Sequence, residues 1–312
     1  MLKVLVATVA MILFLNVVVV YSFELDFIKP VVDKDDYDRD LTLLGKRLFT
    51  DPNLSADGTI SCSSCHDGEG FGVDSLQTSK GIGGTLGEIN APTTFNARFN
   101  FVQFHDGRAR SLEEQALGPI ENPIEMGNSL ENVLEYLKQD NYYRFQFERF
   151  YEDGVTAQNL AHALSEFERG LVNSSRFDEY LLGNDAALGS EAREGYELFK
   201  SYGCIACHNG INVGGNSYQK LGIFKDYNGT SLGRYNVTKD DRDKNHFKVP
   251  TLRNISWTKP YLHDGSIYSL KKAIEFMGEY QLGITINSDD SEKIEIFLQS
   301  LTGETPKVVI DE

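Results

Sequence analysis

At 312 residues, 41% hydrophobic and 11% aromatic, the chain is long enough for two packed cores, since domains usually run about 100 to 200 residues. A formal net charge of −16 argues against nucleic acid, whose phosphates would be repelled. It leaves a basic or neutral docking partner, or simply a well-solvated acidic surface.

Residues 1–22 carry one early positive charge at Lys3 and an apolar stretch from Val4 to Val20 broken only by Thr8 and Asn16. This reads as an export signal. The small-residue cleavage pattern around Val20, Tyr21 and Ser22 is poor and the run approaches a bilayer-spanning length, so an uncleaved anchor is the alternative. Either reading places the catalytic part outside the cytoplasm. Further on, the glycine-rich stretches 81–87 and 210–215 read as loops. Ser129 is a plausible N-cap for a helix carrying Leu130, Val133, Leu134 and Leu137. Leu160, Ala163, Leu164, Phe167 and Leu171 recur on one face of a second helix. Strand-like alternation is hard to find, so the expected fold is mostly α with long functional loops. Asn173, Ser174, Ser175, Gly183, Asn184 and Gly189 interrupt the apolar pattern and suggest a division into units 23–175 and 176–312, with a C-terminal helix that crosses back left open.

The two halves repeat. Gly45-x-x-Leu48-Phe49 precedes Cys62-Ser-Ser-Cys65-His66, and Gly195-x-x-Leu198-Phe199 precedes Cys204-Ile-Ala-Cys207-His208. His105-Asp106-Gly107 leads to Ser111-Leu112, and His263-Asp264-Gly265 to Ser269-Leu270, at the same offset. Two similar domains follow. Cys-x-x-Cys-His suits covalent haem, because two thiols one turn apart reach both vinyl groups while the adjacent histidine ligates iron. One such motif is also compatible with accident, zinc or a redox pair. Two of them, using all four cysteines behind an export signal, make His66 and His208 the expected proximal ligands of two c-type haems. Function then turns on the sixth coordination position: filled, a haem only passes electrons; open, it binds peroxide.

From about residue 40 to residue 303 the chain resembles bacterial di-haem cytochrome c peroxidases and the related MauG-type enzymes. The stretches that carry this are Ile89-Asn90-Ala91-Pro92-Thr93, Gln115 to Met126, Pro250-Thr251-Leu252-Arg253-Asn254 and Pro260-Tyr261-Leu262-His263-Asp264-Gly265. The resemblance implies two cytochrome-c-like haem domains, with peroxide bound at the His66 haem and electrons received at the His208 haem. It implies that Met277 completes the second haem, where MauG-type enzymes have tyrosine. Glu125 becomes the acid-base residue above the first haem, with Gln115 and Pro119 beside it. Asn90, with the Thr258 and Pro260 carbonyls, becomes the ligand set of a calcium ion, which favours oxygen donors. A homodimer is also common in the family.

Two departures stand out. Ile82 occupies the loop position where many members have a histidine that blocks the first iron until the partner haem is reduced, and isoleucine cannot ligate. His105 stands where the family commonly has a tryptophan between the haems. Because His263 repeats the motif, a structural role is favoured for both histidines; the sole tryptophan, Trp257, is the substitute candidate for a bridge. His162 lies off its helix's apolar stripe and reads as solvent-exposed, and His246 sits in a charged loop; neither is given a role. The leading expectation is a peroxidase drawing electrons from a small c-type cytochrome or cupredoxin. The alternatives are a MauG-type enzyme oxidising a protein or organic substrate, and a non-catalytic carrier with both irons six-coordinate.

Overall fold

The computed structural model describes residues 27–32, 37–229 and 231–310; the segment read as leader or anchor, 1–22, lies outside them. The fold is mostly helical. α1 (Arg39–Phe49) starts at Asp38, whose carboxylate accepts from the Leu41 amide. α2 (Leu112–Glu121), α3 (Leu130–Gln139), α4 (Asn141–Phe150) and α5 (Ala157–Gly170) follow, then α6 (Arg176–Leu181) and α7 (Ser190–Ser201). The remainder is α8 (Tyr235–Thr238), α9 (Leu270–Met277), α10 (Ser288–Gln299) and α11 (Lys307–Ile310). Ser111, Ser129 and Ser269 cap α2, α3 and α9 by accepting from the amide three residues on, which satisfies an otherwise orphaned donor. β-structure among the described residues includes one short antiparallel pair, β1 (Tyr218–Lys220) with β2 (His246–Lys248). Thus His246 opens a strand. Among the described residues no helix is long and apolar enough to cross a membrane.

The Gly-x-x-Leu-Phe repeat has a packing cause. α1 crosses α5 so closely that a Cβ at Gly45 would run into the Ala163 carbonyl, and α7 crosses α10 so closely that one at Gly195 would run into the Lys293 carbonyl. Leu48 and Phe49 then enter one core with Leu164 and Phe167, and Phe199 enters a second with Tyr196 and Phe297. Each core borrows from the far end of the chain: Val308 of α11 is buried in the first, and Ile28 in the second. The Lys46 ammonium donates to the Val309 carbonyl at 2.9 Å, and the Val31 amide to Asp178 Oδ1 at 2.8 Å.

A further repeat, passed over in the sequence comparison, lies where the units meet. Pro92-Thr93-x-x-Asn96 and Pro250-Thr251-x-x-Asn254 make the same turn: each threonine hydroxyl accepts the amide two residues on, and each asparagine has φ +61°. Asn173 joins the two asparagines, bonded to Asn96 at 2.7 Å and to Asn254 at 3.1 Å, all three buried.

Candidate haem sites

Cys62 and Cys204 each open a single 3₁₀ turn, and the histidine amide donates back to the first cysteine's carbonyl: His66 to Cys62 at 2.9 Å and His208 to Cys204 at 3.0 Å. That turn presents both thiols on one side with the imidazole following, the arrangement thioether attachment needs. All four thiols are free. Burial pushes the Cys62 thiol up to about 12 and the Cys204 thiol up to about 11. Among the described residues no three His, Cys, Asp or Glu side chains gather as a metal site of their own.

The His66 Nδ1 lies 3.1 Å from the Gly72 carbonyl. A carbonyl only accepts, so Nδ1 carries the proton and Nε2 keeps the lone pair that iron requires. Burial lowers the His66 pKa, and it takes His208 down to about 4, leaving both neutral. Beside the first motif the Asp74 Oδ2 is buried without a protein partner and acts electrostatically on Cys65, whose thiol also meets the Ser79 hydroxyl. Orphaned polar groups in a core call for a missing partner. A large ligand with polar edges, such as haem, fits them.

α2 places Gln115 and Pro119 four residues apart, on one face. After its end, Asn122 forms a tight turn: its Oδ1 accepts the Ile124 amide, and its Nδ2 donates to Glu125 Oε1 at 2.6 Å. The Glu125 carboxylate is half-buried and lies within electrostatic reach of Cys62, Cys65 and His66, adding to the rise that burial causes at the two thiols and opposing the fall that burial causes at His66. Thus the fold brings Glu125 to the first haem motif. The glycine-rich loop closes over the same turn, with the Ile82 amide donating to the Glu125 carbonyl and Ile82 against Gly127. Met277 ends α9, half-buried, on a helix whose Leu270 and Ile274 enter the core of Phe199, the ring beside His208.

Of the three calcium candidates, Asn90 is tied to the second half through His263. The Asn90 amide donates to the His263 carbonyl at 2.9 Å, while its side-chain nitrogen donates to the Leu76 carbonyl at 2.8 Å, leaving Oδ1 as the free end for a cation. Thr258 and Pro260 belong to the loop that leads into His263. His105 and His263 meet face to face, rings 6.2 Å apart and 11° from parallel, with Phe247 4.1 Å over His263. Burial takes His105 down to about 4. The Lys248 amide holds the His105 carbonyl at 2.7 Å, so each repeated histidine is tied by its backbone to the opposite unit. Trp257 stacks on Phe71, 5.3 Å apart at 13°. His162 is not simply exposed: its Nδ1 lies 2.9 Å from the Tyr151 hydroxyl and its side chain is 43% exposed.

Two groups escaped the sequence reading. Asn122 was legible only as an Asn-Pro turn. Glu168 sits four residues after Leu164 on the apolar stripe of α5, 6% exposed with Oε2 unpartnered, and burial pushes it up to about 8. An acidic residue on an apolar stripe was the available signal.

With this geometry in hand, comparison with known proteins is decisive. Residues 39–186 match the di-haem cytochrome c peroxidase family. Cytochrome c551 peroxidase of Nitrosomonas europaea is 46% identical over 283 residues, 89% of this chain and 85% of that protein. The chain belongs to the di-haem cytochrome c peroxidase family. Cytochrome c peroxidase Ccp of Escherichia coli K12 is 44% identical over 88% of the chain, which covers 61% of that longer protein. A solved MauG-like protein associated with microbial copper homeostasis superposes with a TM-score of 0.79 at 26% identity, covering 93% of this chain and 96% of that one. This peroxidase-family chain therefore carries the two haem c sites its motifs announce.

Proposed function

We propose that this protein reduces hydrogen peroxide to water at the haem of His66, taking two electrons through the haem of His208 from a small c-type cytochrome or cupredoxin. The observation that carries the reading is Glu125: a carboxylate held by Asn122 Nδ2 at 2.6 Å within electrostatic reach of Cys62, Cys65 and His66. When bound, haem held by His66 and by His208 would supply the redox chemistry of peroxide reduction and electron passage.

The residues supply the rest. Glu125 accepts a proton from one peroxide oxygen and returns it to the other as the O–O bond breaks, general acid-base work that a positioned carboxylate performs. Asn122 keeps the carboxylate aimed, and Gln115 donates a hydrogen bond that orients the substrate. Gly72 holds the His66 tautomer. Met277 would join His208 in holding the second haem, where a thioether donor would raise the potential for accepting electrons; the same residue separates this reading from the MauG-type one. Asn90, Thr258 and Pro260 would hold calcium between the units, which we divide at 175/176. An exported, cell-envelope location and a homodimer complete the proposal.

The test is electron paramagnetic resonance of the fully oxidised protein with and without stoichiometric peroxide, while peroxide loss is followed with a reduced small cytochrome. A high-spin ferric signal that peroxide converts, with donor oxidation, supports the reading. Two low-spin haems that ignore peroxide in both the oxidised and the half-reduced protein would make the chain an electron carrier.

A further inference from the structure

Trp257 is the sole tryptophan, and its ring is 58% exposed on the second unit, in a turn closed by its amide on the Asn254 carbonyl at 2.9 Å. A lone exposed apolar residue needs no explanation by itself. What distinguishes this one is what lies beneath it. The indole stacks on Phe71 of the first unit, centroids 5.3 Å apart and planes 13° from parallel. Phe71 is one residue before Gly72, and the Gly72 carbonyl accepts from His66 Nδ1 at 3.1 Å. A short, continuous route therefore runs from solvent to the proximal histidine: indole, phenyl ring, one peptide unit, one hydrogen bond.

The backbone is bent to make it. Phe71 has φ +61°, the left-handed region that bulky side chains avoid. It is held there from both sides, its carbonyl accepting from Thr93 Oγ1 at 2.6 Å and the Gly72 amide donating to the Asp67 carbonyl at 2.7 Å. Strain so over-determined clusters at working sites. Indole is also among the side chains most easily oxidised by one electron, whereas phenyl and imidazole resist it. The route thus begins at a group able to give up an electron and ends at the iron's ligand.

We propose that Trp257 is an electron-relay residue through which the first haem oxidises bulky phenols at the protein surface. The proposal rests on His66 being the ligand of the peroxide-reducing haem. Once peroxide has oxidised that centre, the indole passes it one electron and loses its Nε1 proton to solvent. A phenol stacked on the exposed indole face then returns one electron and one proton from its O–H. Two such turns balance the reaction: one hydrogen peroxide and two phenols give two waters and two phenoxyl radicals. Phenols suit the site because they bring proton and electron together and are too bulky to approach a buried iron.

The experiment uses the haem-loaded protein with its two haems counted spectroscopically, mixed with stoichiometric peroxide in the absence of donor and freeze-quenched for paramagnetic resonance. Wild type is expected to show an indole radical, to accumulate oxidised tryptophan at 257 by peptide mass spectrometry, and to oxidise a substituted phenol. Trp257→Phe, which keeps a ring on Phe71, loses the radical and the phenol oxidation. Phe71→Leu leaves the indole exposed but cuts the route, so it too loses the radical; a role for Trp257 in binding phenol alone would give no indole radical even in wild type. An undiminished radical or phenol rate in Trp257→Phe overturns the relay. If wild type consumes peroxide with a reduced small cytochrome while Trp257→Phe matches it with phenol, the relay alone fails. Absence of any peroxide consumption by wild type would sink both readings.

Discussion

The Ile82 amide donates to the Glu125 carbonyl at 2.7 Å, which makes the glycine-rich loop and the acid-base turn one hydrogen-bonded unit. Gly81 permits the contact, since a Cβ there would run into the Ile124 and Glu125 backbone. The loop is thereby seated against the proposed Glu125 site, with Ile82, which cannot ligate iron, at the position the resemblance gives to a blocking histidine. Wild type is expected to react with peroxide from the fully oxidised state without a lag. Ile82→His should add a low-spin ferric signal at the first haem and a lag removed by partial reduction. An unchanged spectrum and no lag would show that the seated loop points its side chain away from the iron.

Glu125→Gln should keep both haem spectra and lower kcat/KM for peroxide by about 10²- to 10⁴-fold, the usual worth of a positioned acid-base group. Asn122→Ala removes one hydrogen bond to that carboxylate and should cost roughly tenfold, in line with a hydrogen bond to a charged group. Stopped-flow peroxide reduction checks both; a Glu125→Gln rate equal to wild type removes the assignment.

Glu168 makes stability pH-dependent. Its carboxyl is pushed by burial from an ordinary 4.5 to about 8, with Arg169 opposing and Glu113 adding to the rise. Between those values the folded state holds a proton that the unfolded state has released, so folding weakens as pH rises from 4.5 to 8 and levels off above. The loss is on the order of a few kcal/mol. Glu168→Gln removes it: the variant's melting temperature should gain on wild type from pH 5 to pH 9. A difference that does not change with pH would contradict the buried, protonated acid.

Arg253 and Asp178 form a two-pronged ion pair, both bonds 2.7 Å and both side chains 1% exposed. Arg253 also donates through Nε to the Ile211 carbonyl at 2.7 Å. Arg253→Met strands a buried carboxylate, and such losses cost about 3–5 kcal/mol. Denaturant unfolding should show it. Asp178→Asn with Arg253→Met should recover part of the loss, because the amide oxygen removes the stranded charge and still accepts a hydrogen bond from a buried donor.

The calcium expectation is simple to check. Chelation with EGTA should slow electron passage between the haems in wild type, and Asn90→Ala should reproduce the effect. Metal analysis finding no calcium in active protein would retire the assignment.

Local signals accounted for a large part of this molecule. Two Cys-x-x-Cys-His runs define haem attachment because thiols and imidazole must lie within one turn, which is a property of adjacent residues. The apolar stripe on α5 and the serine caps of α2, α3 and α9 are local for the same reason, and Gly45 and Gly195 could be aligned before their helix crossings were known. The Gln115 to Met126 run pointed to Glu125, yet the hydrogen bond that holds its carboxylate comes from Asn122, to which the sequence reading assigned no role of its own. What tertiary structure alone decided are relationships between distant segments. α11 and the 27–32 segment each pack into the other half's core, Glu168 becomes a buried acid only because α1 and α2 close over α5, and Trp257 meets Phe71 across 186 positions of sequence. Periodicity and spacing record which face a residue occupies; what that face meets depends on how long loops bring the two halves together, and no local pattern encodes it.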